Sequence, residues 1–386
     1  MLHFFQHRYK DNNYNFIWDI ESGSLHSVDG VAFLCAKDKY GVLTDAERES
    51  YKEISVETRN EVFAELDELE KEGLLNYPCQ SVFKKKNSHI VKSICLNICH
   101  DCNMRCIYCF AGGGNYHSQR GLMSLETGKK AVDFLIVNSG PRKHLEIDFF
   151  GGEPLMNLDV IKGVVSYARE REKQSGKVFS FTVTTNCVLL DKETIDYFNE
   201  TMDNIVISID GRKSTHDGAR RPLDEKHTYE TITKNALDVK NSRAGKSYYV
   251  RGTFTAKNLD FSKDIMALND LGFDQISVEP VVLPESSPIA IKEEHIPAII
   301  AEYEKFANEY LDRRMKDKKS INFFHFVVDL ENGPCIHKRM TGCGAGTEYL
   351  SITPSGEIYP CHQYVGEKDY LLGSLDDGIK RSDIRE

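Results

Sequence analysis

The sequence predicts an α/β protein: a partial (β/α)6 barrel of parallel strands, with a small mixed α/β module before it and a cysteine-rich segment after it. Three observations carry this. From Lys92 onward, short β-rich runs alternate with helical patterns, as βα units on a parallel sheet do. The stretch before it has a different texture, a hairpin pattern followed by helical spacing. The eleven cysteines of the 386 residues are unevenly placed. Cys95, Cys99, Cys102, Cys106 and Cys109 share one short segment, Cys335, Cys343 and Cys361 gather near the end, and Cys35, Cys79 and Cys187 stand alone.

In the leading module, expected over residues 1–85, Phe16, Trp18 and Ile20 alternate with Ile17 and Asp19. Glu21 to Gly23 then make a turn, and Ser24 to Val28 return as a second strand. Asp29 is placed to cap a short helix through Val31, Phe33 and Leu34. Val62, Leu66 and Leu69 mark a second helix that Gly73 ends. The basic stretch Lys84 to Ser88 reads as an exit linker. The barrel, expected over residues 90–315, has six candidate strands: Ser93 to Cys99, Leu145 to Phe150, Phe179 to Thr185, Ile205 to Ile209, Tyr248 to Thr255 and Gln275 to Val278. Between the first two lies a helix that Ser124 caps and Gly140 stops, burying Ala131, Phe134 and Leu135. Two further βα units would be needed to close eight strands, and the remaining sequence does not offer them. Glu293 to Lys316 forms a long charged helix with Ile296, Ile299, Ile300, Tyr303 and Phe306 on one side, packed outside the barrel. The last segment spans residues 320–386.

Composition bounds the function. With 49 basic and 59 acidic residues the net charge is −10, which disfavours nucleic acid and anionic lipid as partners. Hydrophobic residues make up 40% and charged residues 28%, and no apolar run approaches the ~18 to 20 residues of a membrane span. The opening residues lack a secretory core and a cleavage site, so the expectation is a cytoplasmic chain. Disulfides are not expected in a reducing compartment, and clustered thiols there point to metal ligation.

Cys102, Cys106 and Cys109 form C-x3-C-x2-C directly after the first strand, on the mouth of the barrel where active sites sit. Three such thiolates can each hold one iron of a cubane and leave the fourth iron open to a ligand. A zinc knuckle completed by His100 or Cys99 is the plainer alternative. Cys95 and Cys99 lie in the strand and read as small core residues.

The loop resembles that of the radical S-adenosylmethionine (SAM) superfamily, with an aromatic residue, Tyr108, before the last cysteine. Gly151, Gly152, Glu153 and Pro154 follow the second strand and resemble the family's GGEP motif, which implies contact with the SAM amino group. Ser208 and Asp210, in the segment that runs on to His216, Asp217 and Arg220, are similar to the fourth-strand segment that faces the ribose or methionine. Arg251 is a candidate partner of the methionine carboxylate, or an ordinary surface ion pair. Relatives carry glycine at the position of Cys187. A cysteine there is strained if φ is positive, and the expectation is a turn that tolerates a small side chain.

Cys343, Gly356 and Cys361, in C-x12-G-x4-C, resemble the opening of a SPASM extension, with Cys335 as a third ligand; the resemblance implies at least one auxiliary [4Fe-4S] cluster. Buried structural cysteines are the alternative. No cysteine follows Cys361 in these 386 residues, so a second auxiliary group is not supplied by them. The expectation is either a trimmed chain or a first auxiliary site alone, with a position open for a substrate thiolate. Gly342 to Tyr349, Tyr359 to Gly366, Asp148 to Asn157 and Arg251 to Thr255 together resemble the SCIFF peptide maturases. That resemblance implies an enzyme that installs a thioether between a cysteine sulfur and a carbon of a ribosomally made, cysteine-rich precursor peptide. The leading module would then resemble a winged-helix-like RiPP recognition element that binds the leader by strand addition, or else serve dimerisation. The implied chemistry is reduction of SAM by a [4Fe-4S] cluster, hydrogen abstraction by the resulting 5′-deoxyadenosyl radical, and C–S bond closure, with a flavodoxin or ferredoxin supplying electrons. A formylglycine-generating sulfatase maturase and a non-catalytic metal or redox sensor are the competing readings.

Overall fold

The computed structural model describes residues 2–78, 90–223, 228–317, 321–327, 342–381 and 383. Cys79, the Lys84 to Ser88 linker and Cys335 lie outside them. The chain forms two compact units, residues 1–86 with 327–342 and residues 87–326 with 343–386.

In the first unit β1 (Leu2–Tyr9), β2 (Asn12–Asp19) and β3 (Leu25–Val28) make an antiparallel sheet in that order. Three helices follow, α1 (Gly30–Lys39), α2 (Asp45–Lys52) and α3 (Val56–Lys71). Asp29 caps α1, its Oδ1 accepting from the Ala32 N–H at 2.8 Å. Gly73 follows α3 with φ +72°, the left-handed conformation that stops a helix. Ile17, Phe33, Ala36, Leu66 and Leu75 form the core. β1 and α2 were not expected. β1 sends only Leu2 and Phe4 against the core, with histidines and a glutamine between and beyond, and α2 buries no residue.

The second unit begins with β4 (Ser93–Cys99), β5 (Met104–Cys106), α4 (Leu125–Asn138), β6 (His144–Gly151), α5 (Leu158–Ser175), β7 (Val178–Thr185), α6 (Lys192–Thr201) and β8 (Asn204–Ser208). It continues through α7 (Lys213–Ala219), β9 (Arg220–Pro222), α8 (Tyr229–Ser242), β10 (Ser247–Phe254), α9 (Phe261–Asp270), β11 (Gln275–Pro280), α10 (Ile296–Asp312) and β12 (Asn322–Phe323). β13 (Tyr349–Ile352), β14 (Glu357–Tyr359), β15 (Gly373–Ser374) and β16 (Gly378–Ile379) complete it. One sheet runs β12-β11-β10-β8-β7-β6-β4-β13-β14-β15-β16, parallel as far as β13 and antiparallel beyond. The six expected strands are its centre. Two short parallel strands that were not expected, β12 and β13, flank them, and β12 and β16 are not neighbours, so the sheet is open.

Register explains the patterning. Ile94, Ile147 and Phe181 lie side by side across β4, β6 and β7, and Phe149 continues through Val183 and Ile205. All are fully buried in the main core. Side chains alternate along a strand, so the intervening residues share the opposite face. That face carries Ser351, Cys95, Asp148, Thr182 and Asn204 in one row, and Ser208 beside Arg251 in another. That face of the sheet is therefore polar, unlike the packed interior of a closed eight-stranded barrel. Of the apolar residues expected to bury α10, Phe306 is fully buried and Ile299 and Tyr303 pack against the core, while Ile296 and Ile300 remain exposed.

Candidate functional site

Four elements meet at the C-terminal ends of the strands. The loop after β4 carries Cys102, Cys106 and Cys109, and within it β5 pairs antiparallel with β9, Cys106 opposite Arg220. The Ile107 N–H extends this pairing by donating to the Ala219 carbonyl at 2.9 Å. The loop is thus held by backbone hydrogen bonds before any ligand is considered.

The GGEP segment holds it from the other side. The Gly152 N–H donates to the Cys99 carbonyl at 2.7 Å and the Glu153 N–H to the Asp101 carbonyl at 2.9 Å. Gly151 has φ +127°, and a Cβ on Gly152 would sit 1.9 Å from the Asp101 oxygen. Only glycine fits, and what it permits is close contact between the two loops' own backbones. The Tyr116 hydroxyl donates to the Gly151 carbonyl at 3.1 Å and closes the junction.

Glu153 is buried and accepts from the Leu155 N–H (3.2 Å), the Thr185 hydroxyl (2.7 Å) and the Asn186 N–H (2.8 Å). Burial nevertheless raises its pKa to about 7. Asn186 also reaches the cysteine loop, its Nδ2 donating to Asn103 Oδ1 at 2.7 Å. The next residue, Cys187, is fully buried with φ +64°. The expected tolerant turn is instead a left-handed one, the conformation that favours glycine. Its thiol contacts the Thr185 carbonyl at 3.9 Å.

The three loop thiols sense one another. Burial pushes Cys102 up, and Glu153, Cys106 and Cys109 push it further. Burial also raises Cys106, to about 11, while the Arg220 guanidinium pulls the other way. Among the described residues no three His, Cys, Asp or Glu side chains form a site for a single metal ion. A cubane takes one thiolate per iron and does not need thiols converging on one point. Three partly buried thiols on a pinned loop beside a guanidinium suit that group. Of the candidate fourth zinc ligands, the Cys99 thiol contacts the Asp101 carbonyl at 3.2 Å, while His100 Nδ1 lies 3.2 Å from the Ser118 hydroxyl and its buried Nε2 has no hydrogen-bond partner among the described residues.

Tyr108, between the last two cysteines, donates its hydroxyl to Asp210 at 2.6 Å. Asp210, fully buried after β8, also accepts from Arg220 at 3.0 Å and from the Thr253 N–H at 3.1 Å. Its carboxylate is therefore committed to the protein. Ser208 sits at the end of β8 in register with Arg251 of β10, both on the polar face. Arg251 is half-exposed and ion-paired with Glu279.

Deeper on the same face, burial raises Asp148 to about 7, with the charge of Glu146 adding to it. Beside it lies Cys95, whose neighbours include Tyr349 and Ser351 of β13. Tyr349 shares a 3.0 Å hydrogen bond with His362 Nδ1, and that ring stands 4.8 Å from Phe150 and 5.6 Å from Phe110. Asp148, Tyr349 and His362 lie within the stretches that resemble the peptide maturases, but sequence reasoning assigned none of them a role.

Cys343 is exposed and Cys361 half-buried, on either side of the β13–β14 hairpin. The Gly346 N–H donates to both the Tyr349 and Pro360 carbonyls, at 2.9 and 3.0 Å, and so brings the turn after Cys343 against the residue before Cys361. Burial raises the Cys361 pKa, and the nearby Cys343 contributes in the same direction.

Residues 96–250 match the model of the Radical SAM superfamily. A cysteine-type anaerobic sulfatase-maturating enzyme of Clostridium novyi is 24% identical over 72% of this chain and 74% of its own. The radical SAM cyclopropyl synthase TigE of Paramaledivibacter caminithermalis is 23% identical over 95% of this chain and 80% of its own. Among solved structures, anSMEcpe with bound AdoMet shares the fold with a TM-score of 0.60 at 17% identity, over 74% of this chain and 78% of that one. SuiB of Streptococcus suis bound to S-adenosylmethionine shares it with a TM-score of 0.56 at 14% identity, over 96% and 87%. No helix among the described residues is long and apolar enough to cross a membrane. Residues 96–250 thus carry a Radical SAM domain, and the chain is an enzyme that uses S-adenosylmethionine.

Proposed function

We propose that the protein is a peptide maturase that joins a cysteine sulfur to a carbon within a ribosomally made precursor. The observation that carries this is the polar face of the sheet running from the cysteine loop down to Asp148 and Asn204, a surface suited to a peptide's hydrogen-bonding groups. Cys102, Cys106 and Cys109 hold a [4Fe-4S] cluster in this reading. With SAM, that cluster supplies a 5′-deoxyadenosyl radical that takes a hydrogen atom from a substrate carbon. Gly151, Gly152 and Glu153 form the seat of the SAM amino group, Tyr108 walls the site, and Ser208 and Arg251 face its ribose and carboxylate end. Asp210 acts by fixing Tyr108 and Arg220. Glu153, held by three donors, presents a rigid carboxyl with no reorganisation on binding.

Cys343 and Cys361 would hold an auxiliary iron–sulfur cluster, which would supply a one-electron acceptor. Residues 1–85 bind the leader by pairing it along a sheet edge, and a flavodoxin or ferredoxin is the electron donor. The structure of SuiB bound to its precursor peptide SuiA supports a peptide substrate. The sulfatase-maturating relatives support a second reading, oxidation of a cysteine to formylglycine. Mass spectrometry of a cysteine-rich peptide after anaerobic turnover separates them. A thioether appears as loss of two hydrogens with the joined cysteine resistant to alkylation. Formylglycine on an uncrosslinked peptide would overturn the proposal.

A further inference from the structure

The Asp210–Arg220 pair is a buried ion pair that reaches the cysteine loop from outside it, and the SAM-contact reading of Asp210 leaves it unexplained. Asp210 is fully buried, Arg220 is nearly so, and their contact is 3.0 Å. Buried ion pairs are poor sources of net stability, so one kept at a site points to positioning. Three facts locate its action. Arg220 stands opposite Cys106 in the β5–β9 ladder. Its guanidinium lies 5.6 Å from the centre of the Tyr108 ring, and Tyr108 is itself fastened to Asp210. Among the described residues Arg220 Nε is buried with no hydrogen-bond partner, although Nη2 is spent on Asp210. A buried N–H donor without an acceptor is unusual, and a nearby sulfur would relieve it.

We propose that Arg220, oriented by Asp210, is a positioning residue that donates to the sulfur atoms of the iron–sulfur cluster held by Cys102, Cys106 and Cys109 and so raises its reduction potential. Hydrogen bonds and positive charge beside cluster sulfurs stabilise the reduced, more negative state. The acquired electron is thus held more firmly, and Asp210 limits the effect by neutralising part of the charge. The inference rests on the cluster assignment but not on the peptide chemistry.

The test is an EPR-monitored redox titration of the full chain, reconstituted anaerobically without SAM or peptide, alongside iron counting. Arg220→Gln is expected to load the same iron as wild type and to titrate at a more negative potential, with Arg220→Lys between them. Asp210→Asn, which keeps the size of the side chain, is expected to shift the potential the other way. Wild-type protein without iron would sink the cluster assignment itself. Iron-replete Arg220→Gln with an unmoved potential would overturn this inference alone. If Arg220→Gln does not load, Arg220→Lys and Asp210→Asn decide: both titrating with wild type rejects the proposal.

Discussion

The two cysteine groups of this protein are built differently. Cys102, Cys106 and Cys109 sit on a loop pinned on three sides, by the β5–β9 ladder, by the Gly152 and Glu153 amides, and by Tyr108 on Asp210. Cys343 and Cys361 flank a hairpin that extends the outer part of the sheet, one exposed and one half-buried. The first arrangement fixes its thiols before any iron arrives, as preorganised sites require. The second, if it holds a cluster as proposed, leaves iron to do more of the ordering. A rigid site suits chemistry that must be aimed, and a looser one suits a group that relays electrons or receives a substrate.

The largest expected effect falls on the pinned loop. Cys106→Ala should remove its iron and lower SAM cleavage at least 100-fold, read by anaerobic iron assay and 5′-deoxyadenosine release; persistent cleavage would show the loop is not the reaction centre. Gly152→Ala comes next. Its new methyl would collide with the Asp101 backbone, so a loss of about 2–4 kcal/mol and more than tenfold weaker cluster retention are expected, measured by denaturant unfolding and iron content. Ordinary stability and loading would mean the two loops are not locked together.

The looser group should respond selectively. Cys361→Ser is expected to leave SAM cleavage within about threefold of wild type while abolishing the peptide crosslink, and parallel loss of both would erase the distinction between the groups.

A smaller effect concerns Asp148. Its folded pKa is raised, so its contribution favours the folded state most below the unfolded value near 3.8 and is lost as pH climbs to about 7. Asp148→Asn should flatten the fall in stability across that window by about 2–4 kcal/mol, followed by urea unfolding at several pH values. An unchanged slope would mean that Asp148 titrates normally. The smallest is Cys187→Gly, where relief of a left-handed cysteine offsets lost packing, leaving thermal stability within about 1 kcal/mol.

Much of this architecture was legible because its causes are local. Alternation and turn residues mark the six central strands, and Asp29 and Ser124 mark helix starts through one hydrogen bond each. The triplet of cysteines announces itself by spacing. What was not legible depends on distant partners. β12 and β13 are two and four residues long and exist because a neighbouring strand offers them an edge. Gly152 reads as a ligand-approach glycine, and the fold adds a second need for it, the Asp101 oxygen 1.9 Å from where a Cβ would sit. Asp210 reads as a free carboxylate at a strand end, yet it is claimed by Tyr108, Arg220 and Thr253, which lie 102, 10 and 43 positions away in the chain. The pairing of Tyr349 with His362 likewise follows from the hairpin that brings them together.

The central claim is that the pinned loop carries the iron that engages S-adenosylmethionine at the mouth of a polar trough. The most direct measurement is EPR of the reduced, anaerobically reconstituted chain before and after adding S-adenosylmethionine, with Cys343→Ala/Cys361→Ala protein used to silence the second group. A signal that persists in that variant and changes shape when the sulfonium compound is added is the predicted result. A reduced signal that ignores the compound, or that disappears with the second group while the first three cysteines are intact, would contradict the account.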